Sequence, residues 1–302
     1  MRVALDLMGG DDAPSAVVDA ALLVADTQPD VEIILVGPVD VAERLLAGRG
    51  TPGRLRLAAA SEVVGMDEDG ARAVRAKKDA TVRVVHRLVR DGEADAAVST
   101  GPTGATLAAA VLDLGRTARR PALAVVVPTA AGPVVLLDAG ATVEGSVEQL
   151  VEHAVLGAAY AAALGLEDPR VGLLNVGHEP GKGDPLRREA FAALSAAPLR
   201  FVGNVEGHDV VRGGKADVVV TDGFTGNVLL KGLEAGLQRA GADLPVSAVL
   251  LGVDGVCVVG HGAASAVDIA ACVGVAARAV QQRLLDRLAA ALEGQQPAVA
   301  AP

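Results

Sequence analysis

Short aliphatic runs recur along the chain, and each stops at a polar or glycine-rich turn that leads into a stretch with helical spacing. Val218-Val219-Val220 shows the pattern most compactly. It ends in Thr221-Asp222-Gly223-Phe224-Thr225-Gly226-Asn227 and opens into a predicted helix over residues 228–240. An unbroken β-branched run reads as a strand buried on both faces, and Gly with Asp marks the turn. The same order appears at residues 3–7, where the loop Met8-Gly9-Gly10-Asp11-Asp12-Ala13-Pro14 precedes a helix over 15–25. It appears again at 31–38 before a helix over 39–47, and at 94–100 before a helix that starts near Thr103. Further strands are predicted at 55–58, 119–128, 134–140, 170–177, 199–205, 249–253 and 256–260. Helices are predicted at 147–164 and 186–194, and one last helix from His261-Gly262-Ala263-Ala264-Ser265 to about residue 292.

Strand followed by helix, many times over, is the grammar of a parallel sheet covered on both faces. The predicted fold class is therefore α/β, a three-layer αβα arrangement with a largely parallel sheet. Residues 1–293 are expected to form one large catalytic domain, drawn as two lobes around a cleft, and residues 294–302 a disordered tail. In such folds ligands sit at the carboxyl ends of strands, against helix N-termini. Asp6, Asp138 and Asp222 stand at strand ends, where each is either a polar group in a crevice or a turn-stabilising carboxylate. Ser99, Thr100 and Thr103 with Gly101 and Gly104 form a turn suited to phosphate oxygens, although Ser and Thr at such places are often only helix caps. Lys182 lies between Gly181 and Gly183, able to swing onto an anion. His153, among Ala, Val and Leu, reads as a core or surface histidine.

Residues 71–83 carry the densest positive charge in the chain, with Arg72, Arg75, Lys77, Lys78 and Arg83, and Arg87 and Arg90 beyond. Arg72, Arg75 and Arg83 fall on one helical stripe, and Arg83, Arg87 and Arg90 extend one. The stretch is either a solvated helix face or a surface for an anion or acidic partner.

Composition narrows the classes. Of 302 residues 51% are hydrophobic and only 1% aromatic, so the core must be Val, Leu, Ile and Ala, and a base-stacking platform is excluded. A net charge of −10 argues against nucleic acid as the partner. Cys257 and Cys272 have no metal-ligand spacing, which fits a reduced, cytoplasmic protein with no metal. The opening Met1-Arg2-Val3-Ala4-Leu5-Asp6 meets a carboxylate at once, so no secretory leader is expected there. No uncharged apolar run approaches the ~18 residues of a membrane span. There is no P-loop, and Met8-Gly9-Gly10 is not a dinucleotide fingerprint.

Taken in order, Asp6 to Pro14, Lys77-Lys78-Asp79, Asp95 to Gly104, Leu137-Asp138-Ala139-Gly140-Ala141, Arg170 to Gly177 with Lys182-Gly183, Gly203-Asn204-Val205-Glu206-Gly207, Asp222 to Asn227 and His261-Gly262 resemble the bacterial phosphate acyltransferase family PlsX over almost the full chain. The resemblance implies a fold similar to phosphotransacetylases and to isocitrate and isopropylmalate dehydrogenases, and a homodimer. It implies formation of acyl-phosphate from acyl-[acyl-carrier-protein] and inorganic phosphate for phospholipid synthesis, without a cofactor. The partners so implied are acyl carrier protein, phosphate and, at the membrane periphery, a membrane acyltransferase.

On that basis Lys182, Asn227, Asp222 and His261 are expected to be catalytic: Lys182 neutralises phosphate or oxyanion, Asn227 donates to the thioester oxygen, Asp222 orients these groups, and His261 carries a proton. Asp6, Gly9, Gly10, Ser99, Thr100, Gly101, Thr103, Gly104, Asn175, Gly183, Asn204, Glu206 and Gly223 are expected around phosphate and acyl group. Arg72, Arg75, Lys77, Lys78 and Arg83 are expected to dock the carrier. The sequence departs from the family at Pro102, where Asn is usual, at His178-Glu179-Pro180, and between residues 232 and 253, where a long helical hairpin linked to membrane contact is shortened. The alternatives are a phosphate acetyl- or butyryltransferase using acyl-coenzyme A, a non-catalytic acyl-binding relative, and a nicotinamide dehydrogenase.

Overall fold

The computed structural model describes residues 1–50, 53–239, 241 and 247–294, and the expected tail and most of the residues 240–246 lie outside them. The described residues form two compact units. Unit 1 is Met1–Arg116 with Pro245–Gln281, and unit 2 is Thr117–Leu244 with Gln282–Pro302.

The chain begins in unit 1 with β1 (Arg2–Asp6), α1 (Ser15–Thr27), β2 (Glu32–Gly37), α2 (Val39–Leu46), β3 (Leu55–Ala59), α3 (Gly70–Ala76), α4 (Thr81–Arg90), β4 (Ala96–Ser99) and α5 (Thr103–Asp113). Unit 2 follows with β5 (Ala122–Val127), β6 (Val134–Leu137), α6 (Val147–Ala163), β7 (Val171–Leu174), α7 (Pro185–Ala196), β8 (Phe201–Val205), α8 (Gly207–Arg212), β9 (Val218–Val220) and α9 (Gly223–Arg239). The chain then adds β10 (Ser247–Leu251), β11 (Val256–Gly260) and α10 (Ala266–Gln281) to unit 1 and α11 (Leu284–Glu293) to unit 2.

Unit 1 orders its strands β3-β2-β1-β4-β11-β10, all parallel except β10, which runs antiparallel to β11. Unit 2 orders them β5-β6-β9-β7-β8, with β5 antiparallel to β6 and the rest parallel. This is the mixed α/β fold with a mostly parallel sheet that the strand–helix alternation predicts. The central strands are sealed on both faces: Val3, Ala4, Leu5, Val218, Val219 and Val220 are all buried. Helices α1 and α10 pack together in unit 1, and α6 packs with α7 and α11 in unit 2. Among the described residues no helix is long and apolar enough to cross a membrane.

Four local readings change. The basic stretch is two helices, because residues 77–80 bond sideways instead of continuing α3. Asp79 accepts from Ser61 N and Oγ at 2.8 and 2.7 Å, and its own amide donates to Glu62 Oε2 at 2.8 Å. The last helix breaks at Arg283, whose backbone is left-handed (φ 53°, ψ 47°), so α10 belongs to unit 1 and α11 to unit 2. Helix α9 starts at Gly223, not Val228, which puts Asn227 in its second turn. The short α8 follows β8 where only a turn is expected.

On the buried face of α4 is His86, fully buried and absent from the expected site. Its Nδ1–H donates to the Val82 carbonyl at 2.6 Å, leaving Nε2 to accept the Cys257 thiol at 3.2 Å. Burial holds His86 down to about 4 and pushes Cys257 up to about 12. The folded state thus refuses a proton that the unfolded chain takes up near pH 6.5, so stability is complete above that pH and declines as pH falls toward 4. Between pH 7 and 5 this group alone should remove about 2 kcal/mol. Urea unfolding of the parent and of His86→Leu at both pH values should show the variant losing less by about that amount.

Candidate active site

In unit 1 the loops after three neighbouring parallel strands, β1, β4 and β11, are laced together. Ser99 Oγ donates to Asp6 Oδ2 at 2.8 Å and accepts the Gly101 amide at 3.1 Å. Thr100 Oγ1 donates to the Gly9 carbonyl at 2.8 Å, and the Asp11 amide donates to the Gly262 carbonyl at 2.8 Å. Asp6, Ser99 and Thr100 are buried. Burial pushes the Asp6 carboxyl up, while hydrogen bonds from Thr81, Ser99 and Met8 pull the other way. Two of the three hydroxyls expected on phosphate, Ser99 and Thr100, are therefore engaged beneath the loops, as is the Gly101 amide.

Thr103 and Gly104 are exposed at the start of α5. Pro102 is the N-cap there and offers no side-chain cap, so these amides face outward as a partial positive pole. His261 is exposed beyond β11. Its Nδ1 accepts the Ala263 amide at 3.2 Å, leaving Nε2 without a described partner.

The basic surface is smaller than expected. Arg83 is 12% and Asp113 3% exposed, and two bonds of 2.8 and 2.6 Å join them, so Arg83 ties α4 to α5 rather than facing a partner. Lys77 Nζ donates to Glu68 and to the Val63 carbonyl at 2.7 Å. Arg72, Arg75 and Lys78 remain exposed.

In unit 2 the loops after β6, β9, β7 and β8, adjacent in that order, form a second cluster. Asp138 is buried and saturated. Its Oδ1 accepts the amides of Leu123, Gly140 and Ala141 at 3.1, 3.0 and 2.8 Å, and Oδ2 accepts Thr142 N and Oγ1 at 2.8 Å each. That loop is the floor on which the first turn of α9 rests. A Cβ on Gly223 would overlap the Thr142 carbonyl oxygen, and one on Gly226 the Asp138 carbonyl oxygen. Gly223 is thus a packing residue.

Asp222 does not touch Lys182 or Asn227. It accepts Thr225 N at 2.9 Å and Thr225 Oγ1, and pairs closely with Arg187 of α7. Burial pushes the Asp222 carboxyl up, but Thr225 and the Arg187 guanidinium outweigh it and hold it below the usual range. Arg187 also reaches Asp184, the N-cap of α7, at 2.8 Å. Sequence reasoning missed Arg187. Its only signal was a position three residues after the cap Asp184, on the helix that Lys182-Gly183 introduces.

The β7–α7 loop is braced from within. Asn175 Nδ2 donates to the Lys182 carbonyl at 3.1 Å, and its Oδ1 accepts the Val176 amide at 2.8 Å. Gly183 has φ +91°, and a Cβ there would meet Asn175 Oδ1 at 2.5 Å, so only glycine fits. Asn204, buried, donates from Nδ2 to the Glu179 carbonyl at 2.8 Å. Asn175 and Asn204 therefore hold the loop's shape. Two of the expected catalytic side chains here, Lys182 and Asn227, make no hydrogen bond to a described residue. The Lys182 side chain is 52% exposed, with its nearest carboxylate, Glu179, at 3.9 Å. Asn227 is exposed against Gly140, and no described residue bonds its carboxamide. Glu206 lies beside His178, His208 and Asp209. An apolar cavity of about 320 Å³ lies under α9, lined by Val127, Pro128, Val211, Leu233 and Leu237 among others.

Residues 1–244 match the family model described as "Fatty acid synthesis protein". A phosphate acyltransferase of Desulfitobacterium hafniense is 48% identical over 237 residues, spanning 78% of this chain and 70% of that one. One from Heliobacterium modesticaldum is 42% identical across 94% of this chain and 96% of its own. Among solved structures, a phosphotransacetylase from Streptococcus pyogenes superposes with a TM-score of 0.70 at 19% identity, covering 95% of this chain and 94% of its own. A branched-chain phosphotransacylase from Enterococcus faecalis gives 0.66 at 17% identity, covering 93% and 99%. These two share the fold.

Proposed function

We infer the reaction from one premise: the chain belongs to the fatty acid synthesis protein family and is an acyltransferase, akin to phosphate acyltransferases over most of its length. Acyl-phosphate formation is the general chemistry of that kinship. The finer reading is that the donor is acyl-[acyl-carrier-protein], the acceptor inorganic phosphate, and the product a precursor for phospholipid synthesis.

A phosphate oxygen attacks the thioester carbonyl carbon. The new C–O bond forms, the C–S bond breaks, and the sulfur leaves as thiol with the proton that hydrogen phosphate gives up. Such a reaction needs a cation beside the dianion and a donor aimed at the carbonyl oxygen as it turns anionic. The observation that carries the assignment is two exposed side chains that make no hydrogen bond to a described residue, Lys182 after β7, with only a long ion pair to Glu179, and Asn227 after the adjacent β9. Lys182 takes the cation's role and Asn227 the donor's. Asp222 acts through Arg187 and Thr225, holding the helix turn that presents Asn227. The cavity under α9 offers acyl carbons an apolar lining on the helix that bears Asn227.

Incubation with acyl-carrier-protein thioester and labelled phosphate should yield labelled acyl-phosphate. Product from acyl-coenzyme A and none from the carrier thioester would move the assignment to the phosphotransacylase reading. No product from either would end it.

Arg72, Arg75 and Lys78 are the exposed cations proposed to meet the acidic carrier. Reversal of all three to Glu should raise the Michaelis constant for the carrier roughly tenfold at low salt and leave turnover at saturation intact. An unchanged Michaelis constant would remove this surface from the proposal.

A further inference from the structure

Two histidines with no sequence signature of a metal site come together in unit 2. His178 lies in the β7–α7 loop, four residues before Lys182, and His208 lies at the start of α8. Between them stand Glu206 and Asp209. His178 Nε2 is 3.0 Å from Asp209 Oδ2 and 3.7 Å from Glu206 Oε1. His208 Nδ1 is 3.3 Å from Glu206 Oε2, and its Nε2 is 3.4 Å from Asp209 Oδ1. One donor atom each from His178, His208 and Asp209 can be chosen within 4.8 Å of one another.

We propose that His178, His208 and Asp209 form a binding site for one divalent transition-metal ion of the zinc class, with the fourth position left to water. The spacing carries this. Tetrahedral zinc binds imidazole nitrogen and carboxylate oxygen at roughly 2.0–2.2 Å, which puts neighbouring donors about 3.3 Å apart. The His178 Nε2 and His208 Nε2 atoms stand 3.0 and 3.4 Å from the two oxygens of Asp209, on either side of that value. Two imidazoles select a borderline ion over magnesium or calcium, which prefer oxygen donors throughout.

The surroundings suit such an ion. Asp209 is oriented by the Glu206 amide at 2.9 Å and by Lys215 Nζ at 3.3 Å, the outer contacts that fix a ligating carboxylate. Both histidines are about half-exposed, at 48% and 46%, which gives the ion an entry path. A metal there would staple the Lys182-bearing loop to α8. The inference stands on this geometry and not on the acyl-transfer reading.

The test uses untagged, chelator-washed full chain and zinc chloride, titrated against a chromophoric chelator. One equivalent of zinc should bind, and the melting temperature should rise with zinc. His178→Ala and His208→Ala should each weaken binding at least ~10-fold, and the double variant should lose the one-equivalent site. Both variants should melt with the parent in chelator, because both side chains are half-exposed. Magnesium should give neither signal. Stoichiometric zinc binding that survives the double variant would overturn the proposal. So would failure of the parent to take up zinc, which would leave the cluster an ion-pair network only.

Discussion

Asn227→Ala and Lys182→Ala proteins are expected to form acyl-phosphate at least ~100-fold more slowly than the parent, with unchanged melting temperatures. Both side chains are exposed, and neither braces a loop, so their removal leaves the scaffold as it is. Asn227→Ala keeps the Cβ that faces Gly140 and removes only the carboxamide. A preorganised donor to an oxyanion is worth roughly 3–4 kcal/mol in the transition state, far more than an exposed amide contributes to folding. Asp222→Ala is expected to behave differently. It leaves the nearly buried Arg187 without the carboxylate that stands just before α9, so activity and stability should fall together. Initial rates measured beside thermal melts separate the two behaviours. If Asn227→Ala and Lys182→Ala both stay within a few-fold of the parent, the proposed roles are wrong.

Gly226→Ala should give the largest loss of stability from the smallest chemical change. Its new methyl would overlap the Asp138 carbonyl oxygen, a backbone atom of a loop fixed by five hydrogen bonds to the Asp138 carboxylate. Neither side can yield cheaply. The helix turn is held by Asp222, and the loop cannot move without exposing a buried carboxylate. Overpacking of this kind costs ~3 kcal/mol or more, a fall of roughly 6–12 °C in melting temperature. Gly232→Ala on the same helix is the control. A Cβ there meets nothing within 4 Å, so the substitution should be neutral or stabilising by up to ~1 kcal/mol. Equal melting of the two variants would contradict the close packing of α9 on the β6–α6 loop.

The strand–helix order was legible because period and composition are local properties. Val218 to Val220 can be little but a buried strand, and Asp138 and Asp222 stand where their strands stop. The exposed pair Lys182 and Asn227 was visible for the same reason: each follows a strand and a glycine-bearing turn. What failed was any inference about which groups a side chain meets. Arg83 reads like Arg72 and Arg75 along the chain, yet it is bound to Asp113 on the next helix. Ser99 and Thr100 read as phosphate ligands, yet they bond to Asp6 and Gly9 on a neighbouring strand end.

The sequence by itself determined the fold class, the aliphatic core and the strand-end positions of the chemistry, since hydrophobic period and turn residues act within a few positions of one another. Only the tertiary structure decided which polar groups are already bound and which are free. It alone joined Arg187 to Asp222, and His178 to His208 and Asp209. A hydrogen bond or ion pair depends on distances of a few ångströms between residues far apart along the chain, and no local pattern encodes those distances.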